Sequence, residues 1–148
     1  MARTIAIEVM QQGPTTSEAR IRGHRVSIDR PVEKGGEDQG PMGGELFLAS
    51  VGGCFMSTLL AAIRAREADV DDLAMEVQGT LDDDGGPARY TALELVISGR
   101  AADPALFRKL VTIAERSCIM WVTLAPLLPM AVRLRDPQGM DAQKPDEA

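Results

Sequence analysis

Between Glu45 and Arg64 the chain carries no charged residue, and this stretch limits what the rest of the molecule can be. Read as a helix over 45–67, it is apolar nearly all round and must bury most of its faces. Its uncharged length approaches that of a membrane span, about 18–20 residues. Its small residues, its two glycines and the strand-rich sequence around it favour instead the central helix of a globular core, at a subunit interface. Gly52 and Gly53 each cost about 1 kcal/mol against alanine inside a helix. The expected compensation is close approach of another backbone, right beside Cys54.

Around this helix the sequence reads as strands. Ile5, Ile7 and Val9 alternate with Thr4, Ala6 and Glu8, the pattern of a half-buried strand over 4–10. Gly13-Pro14 breaks it. Residues 17–29 read as a hairpin turning on Gly23-His24. In that register Ile21 faces Val26 and Ala19 faces Ile28, while Arg20, Arg22 and Arg25 share the other face with Arg22 across from Arg25. Residues 29–44 form a glycine-rich connection that lacks the phosphate-loop pattern and reads as a mobile loop. A second hairpin spans 73–81 and 90–99, with Leu73, Met75 and Val77 answered by Leu93, Leu95 and Ile97. Asp103 and Pro104 open a second helix whose apolar face runs through Phe107, Val111, Ala114 and Cys118. A short strand over 130–134 closes the pattern. Residues 1–135 thus read as one domain of strands and two helices, and 136–148 as a polar, disordered tail.

Charge and residue counts exclude several functions. A net charge of −6 argues against nucleic acid, whose phosphates are bound through Lys and Arg. No membrane partner is expected. Met1–Thr4 leads straight into a strand without the apolar core of a signal peptide, so the expected compartment is the cytoplasm. His24 is the only histidine, which rules out any centre needing two imidazoles. No metal site is expected, because the short Cys and His spacings that announce zinc are missing.

Two cysteines remain, both on apolar helix faces. Free cysteine behaves as a small hydrophobe, and taken alone the pair reads more readily as core than as chemistry. Reactivity requires a lowered thiol pKa and access. Cys54 lies too deep in its helix to use the N-terminal dipole, so an arginine is the better source of positive charge. The cluster Arg20, Arg22 and Arg25 admits two readings: a solvated face beside acids such as Glu18, or a cationic wall for an anionic site. A carboxylate would be needed to orient the arginine. Glu45 precedes Cys54 on the same helix by about 14 Å, so it reaches the site only from the loop junction or through an arginine.

The run from Gly40 to Phe55, with its Pro41-Met42-Gly43-Gly44-Glu45-Leu46-Phe47 lead and Cys54 mid-helix, strongly resembles the OsmC/Ohr family of osmotically inducible and organic hydroperoxide resistance proteins. Cys118, in Glu115-Arg116-Ser117-Cys118, stands where that family carries its second cysteine. The resemblance covers residues 3–135. It implies an α+β, OsmC-like fold, with antiparallel sheets around two central cysteine-bearing helices, in an intertwined homodimer. It departs from the hydroperoxide-resistance branch in two places. The carboxylate usually found ten residues before the first cysteine is Gly44 here, with Glu45 one position later, and the proline beside the second cysteine is Ile119. The chain therefore reads as a divergent OsmC-like branch.

The same resemblance implies an antioxidant, stress-response peroxidase acting on organic hydroperoxides. Cys54 would be oxidised to a sulfenic acid, and Cys118 would condense with it to a disulfide. An external dithiol, a reductant protein or a small molecule, would then reopen it. No bound cofactor is implied. Arg22 is the first choice for the activating arginine and Arg20 the second, with Glu45 as the carboxylate. Phe47, Val51 and Phe55 are the expected apolar lining for the substrate. Two rival readings stay open: a non-catalytic dimer binding a small apolar ligand or partner, and a redox sensor without turnover.

Overall fold

The computed structural model describes residues 1–135 and 141–142. It divides into two compact units, 1–47 and 48–148.

The first unit is a three-stranded antiparallel sheet, β1 (Glu8–Gln11), β2 (Ser17–Ile21) and β3 (His24–Ile28), in that order. β1 is shorter than the alternation at 4–10 suggests, and it is exposed rather than half-buried. The reason is its partner: β2 supplies five residues, so only Glu8 to Gln11 find a register, Glu8 opposite Arg20 and Gln11 opposite Ser17. In the β2–β3 hairpin the turn falls on Arg22-Gly23, one residue earlier than expected. Arg22 takes a left-handed backbone (φ 57°). Ile21 then pairs with His24, Ala19 with Val26, and Arg20, not Arg22, lies opposite Arg25. Moving the turn by one residue slips the pairing by two, so each side chain keeps its expected face.

The connection after β3 is not the loose loop expected from its glycines. Asp29, 3% exposed, gathers it by hydrogen bonds. Its Oδ1 accepts from the Arg30 N–H (2.7 Å), and its Oδ2 accepts from the N–H groups of Glu37 and Gln39 and the Thr16 hydroxyl, each at 3.1 Å. The Asp29 N–H donates to the Pro41 carbonyl (3.2 Å), which ties the two ends of the loop together. Between them lies a 3-10 turn, Val32–Lys34. Gly36 passes so close to the Arg30 backbone that a Cβ there would collide with it.

The first helix, α1 (Gly43–Ala65), starts and stops two residues earlier than the apolar run suggests. Glu45 causes the early start. Its Oε2 accepts from the Met42 N–H (2.8 Å), satisfying one of the unpaired donors at the helix N-terminus.

In the second unit β4 (Val70–Asp82) pairs antiparallel with β5 (Arg89–Ala101), and β6 (Met130–Arg135) joins on the far side of β5. β5 and β6 run parallel, so this sheet is mixed and not antiparallel as expected. A parallel neighbour needs a long crossover, and α2 (Pro104–Ser117) with α3 (Ile119–Leu124) provides it. A two-residue strand, β7 (Asp141–Ala142), pairs with β6. Apart from that strand, the expected disordered tail lies outside the described residues.

The core of this unit is mainly aliphatic with one central ring: Val51, Phe55 and Leu59 of α1, Leu95 and Ile97 of β5, and Leu110 of α2 are fully buried. α1 meets the sheet at Gly52, where a Cβ would come within 2.5 Å of Val77 Cγ2 on β4. Gly53 faces open space. Only one of the two glycines therefore carries the close approach the sequence predicts. α1 is long and apolar enough to cross a membrane by length and composition, but its buried stripe is spent on this core.

Candidate functional site

Cys54 sits in the middle of α1, half-buried, immediately before the fully buried Phe55. Its position follows from the helical repeat. Val51, Phe55, Leu59 and Ala62 take the inner stripe, Gly53, Ser57, Leu60 and Ala61 are exposed, and Cys54 lies at the boundary. Its carbonyl accepts from the Thr58 hydroxyl at 2.9 Å.

Cys118 reaches the same place from the other side of the core. Asp103 caps α2 by accepting from the Leu106 N–H (3.0 Å). The buried stripe Phe107, Leu110, Val111 and Ala114 then carries the chain to Cys118, which is 0% exposed. Cys118 is not inside the helix, however. Its backbone is extended (φ −72°, ψ 120°), and it ends α2 and begins α3. The sequence reading missed α3, whose six residues are too few for a periodic signal. The bend places Trp121 against Phe55, ring centroids 5.7 Å apart and planes at 62°, an edge-to-face geometry favourable for aromatic pairs.

The two thiols are in contact, and the surroundings of Cys118 keep it neutral. Burial is the main cause of its raised pKa. The adjoining Cys54 side chain pushes the same way, and the N–H groups of Trp121 and Met120 pull in the opposite direction. Access helps set the rate of thiol–disulfide exchange, and of the two sulfurs the half-exposed Cys54 is the one a reagent meets first.

The other sequence candidates have varied surroundings. Arg20 is already engaged: its Nε lies 2.9 Å from Glu18 Oε1, and Arg25 Nη1 approaches the same oxygen at 3.9 Å. Both arginines thus share the Glu18 carboxylate. Arg22 is exposed in the turn and has no ion pair among the described residues. Glu45 is occupied in starting α1. Phe47 is half-buried, whereas Val51 and Phe55 are 1% and 0% exposed and offer a ligand no surface as the chain stands. Arg20, Arg22, Glu45 and Phe47 belong to the first unit, and the thiols, Val51 and Phe55 to the second.

Two residues that matter here escaped the sequence reading. Trp121 stands three residues after Cys118, a helical spacing that could have signalled a shared face. Asp29 ends a strand just before a glycine-rich loop, where an aspartate commonly bonds the backbone ahead of it. The first unit also holds an open cavity of about 440 Å³, bounded by Thr15, Ser17, Asp29, Arg30, Lys34 and the start of α1, with no cysteine in its wall. Asp82, Asp83 and Asp84 bring three carboxylates together on the β4–β5 turn. The Asp84 N–H donates to Asp82 Oδ1 (2.9 Å), which is ordinary turn bonding.

Solved structures share this architecture. An OsmC-like protein from Mycoplasma pneumoniae superposes with a TM-score of 0.79 at 16% identity, covering 92% of this chain and 99% of that one. An organic hydroperoxide resistance protein OsmC from Legionella pneumophila gives 0.69 at 15%, covering 90% and 98%. The organic hydroperoxide resistance protein OhrB of Bacillus subtilis gives 0.63 at 18%, covering 88% and 98%. At such identities the likeness is one of fold. No curated protein matches the chain. The family model for OsmC-like proteins, however, matches residues 36–132, the segment that carries both cysteines. With the fold and that match in agreement, the chain belongs to the OsmC family.

Proposed function

We propose that this protein is a thiol-dependent peroxidase of organic hydroperoxides, working through Cys54 and Cys118. The observation that carries the reading is the contact between a half-exposed and a fully buried thiol, delivered by two different elements of the core. Family membership, and relatives of the same fold described as organic hydroperoxide resistance proteins, support redox chemistry of this class.

In the cycle, the Cys54 thiolate attacks the peroxide O–O bond, taking one oxygen as the sulfenic acid and releasing the other as the alcohol. The Cys118 thiol then displaces that oxygen as water and forms the disulfide. An external dithiol reduces it, and no bound cofactor takes part. Arg22 is the preferred activating group. Its guanidinium has no ion pair among the described residues, whereas that of Arg20 is held by Glu18. Glu45 would serve the arginine only by sharing its carboxylate with the start of α1. Phe47, Val51 and Phe55 are the apolar side chains proposed to meet the substrate.

The homodimer and the cytoplasmic setting belong to the same proposal. The uncharged outer face of α1 (Gly53, Ser57, Leu60 and Ala61) is exposed in the single chain and suits packing against a second copy. The test is intact mass after one equivalent of organic hydroperoxide. Loss of two hydrogens, together with dithiol-dependent peroxide consumption that disappears in Cys54→Ser, is the expected result. Unchanged mass with no peroxide consumed would end the peroxidase reading.

A further inference from the structure

The disulfide that closes the proposed cycle has two unequal sulfurs, and which one the reductant attacks is decided by access. Thiol–disulfide exchange depends on which sulfur an incoming thiolate can reach. The attacker arrives in line with the S–S bond, on the side away from the leaving sulfur. Cys54 is half-exposed, at the boundary between the inner and outer faces of α1. Cys118, at the α2–α3 junction, has no exposed surface from which an attacker could approach.

We infer that the reductant opens the Cys54–Cys118 disulfide at Cys54, and that Cys118 is the leaving thiolate. This rests on the two-cysteine cycle proposed above. The incoming thiolate RS⁻ forms a new bond to Cys54 Sγ as the S–S bond breaks. The bonding pair leaves on Cys118, which then takes up a proton. In the second step the other thiolate of the dithiol attacks the R sulfur, closes its own disulfide and frees the Cys54 thiolate.

Leaving-group chemistry opposes this direction. Lower-pKa thiolates leave faster, and burial raises the Cys118 pKa. That effect grades the rate, however, whereas a sulfur without an approach path does not react, so access prevails. The N–H groups of Trp121 and Met120, which favour the charged form of Cys118, ease its departure. Burial then reprotonates the released thiolate, which slows its return attack on the mixed disulfide.

The full chain is oxidised with diamide, which removes two hydrogens from the thiol pair without any peroxide. It is then treated briefly with glutathione, quenched in acid, alkylated and mapped by peptide mass. Glutathione is expected on the Cys54 peptide in at least about tenfold excess over the Cys118 peptide, with the alkyl group on Cys118. An even split, or the reverse pattern, overturns the inference. If diamide forms no intramolecular disulfide, this inference and the cycle both fail. If the disulfide forms but organic peroxide is inert, only the peroxidase reading fails and the map still decides the direction of attack.

Discussion

The two units of this protein are ordered by opposite means. Between residues 1 and 47 only Ala19 and Asp29 are buried, and the long connection is held by backbone N–H groups converging on one carboxylate. In the second unit a stripe of α1 is packed against sheet and helix by aliphatic and aromatic side chains, and both thiols are set into that packing. A polar hub fixes a path through space but buries little apolar area. An apolar core gains stability in proportion to the area it removes from water. The geometry of the thiol pair therefore depends on core packing, while the entry to α1 depends on the charge state of Asp29.

The largest effect that could break this contrast is expected at Phe55. Phe55→Ala removes a fully buried ring and its contact with Trp121, and should cost about 3–5 kcal/mol in urea denaturation. A cost below about 1 kcal/mol would mean that the thiols are not held by this core. Next come the two glycines. Gly52→Ala drives a methyl into Val77 and should destabilise by about 1–3 kcal/mol. Gly53→Ala meets open space and should stabilise by up to about 1 kcal/mol. Should Gly53→Ala prove destabilising instead, another copy must pack there, and the mass measured by sedimentation would identify it.

Smaller effects follow from titration. Burial alone would raise the Asp29 pKa, but the N–H groups of Gln39 and Arg30, the Thr15 hydroxyl and the Glu37 N–H outweigh it and bring it to about 2. A depressed carboxyl pKa contributes stability above its unfolded value, near 3.9, and loses it as pH falls toward 2. Amide exchange in residues 30–41 should accelerate through that window in the native protein, and Asp29→Asn should remove the pH dependence. Cys118 has the opposite sign. Its raised pKa contributes stability that is complete below the ordinary thiol value, about 8.5, and is lost as pH rises through the folded value. Cys118→Ala should flatten the alkaline limb of the stability profile, and an unchanged limb would count against a buried neutral thiol.

Much of this contrast was legible in the sequence. The β4–β5 hairpin and α1 are readable because alternation and an uncharged run each report a buried face directly. The details that failed depend on partners. The length of β1 is set by β2, and the turn at Arg22-Gly23 requires a left-handed arginine that no local preference announces. The parallel pairing of β6 depends on a crossover containing a helix too short to show a period. Asp29 resembles any loop aspartate until the N–H groups around it are known. The meeting of Cys54 and Cys118 is a long-range contact, and only the family resemblance linked the two cysteines in advance.

The Trp121–Phe55 contact has a practical consequence. Trp121 is the only tryptophan in the chain, and it stands three residues beyond one thiol against the neighbour of the other. All of the protein's indole emission therefore originates beside the sulfur pair. Oxidation of the pair, as the proposed cycle requires, is therefore expected to register optically, in real time, without attaching a dye.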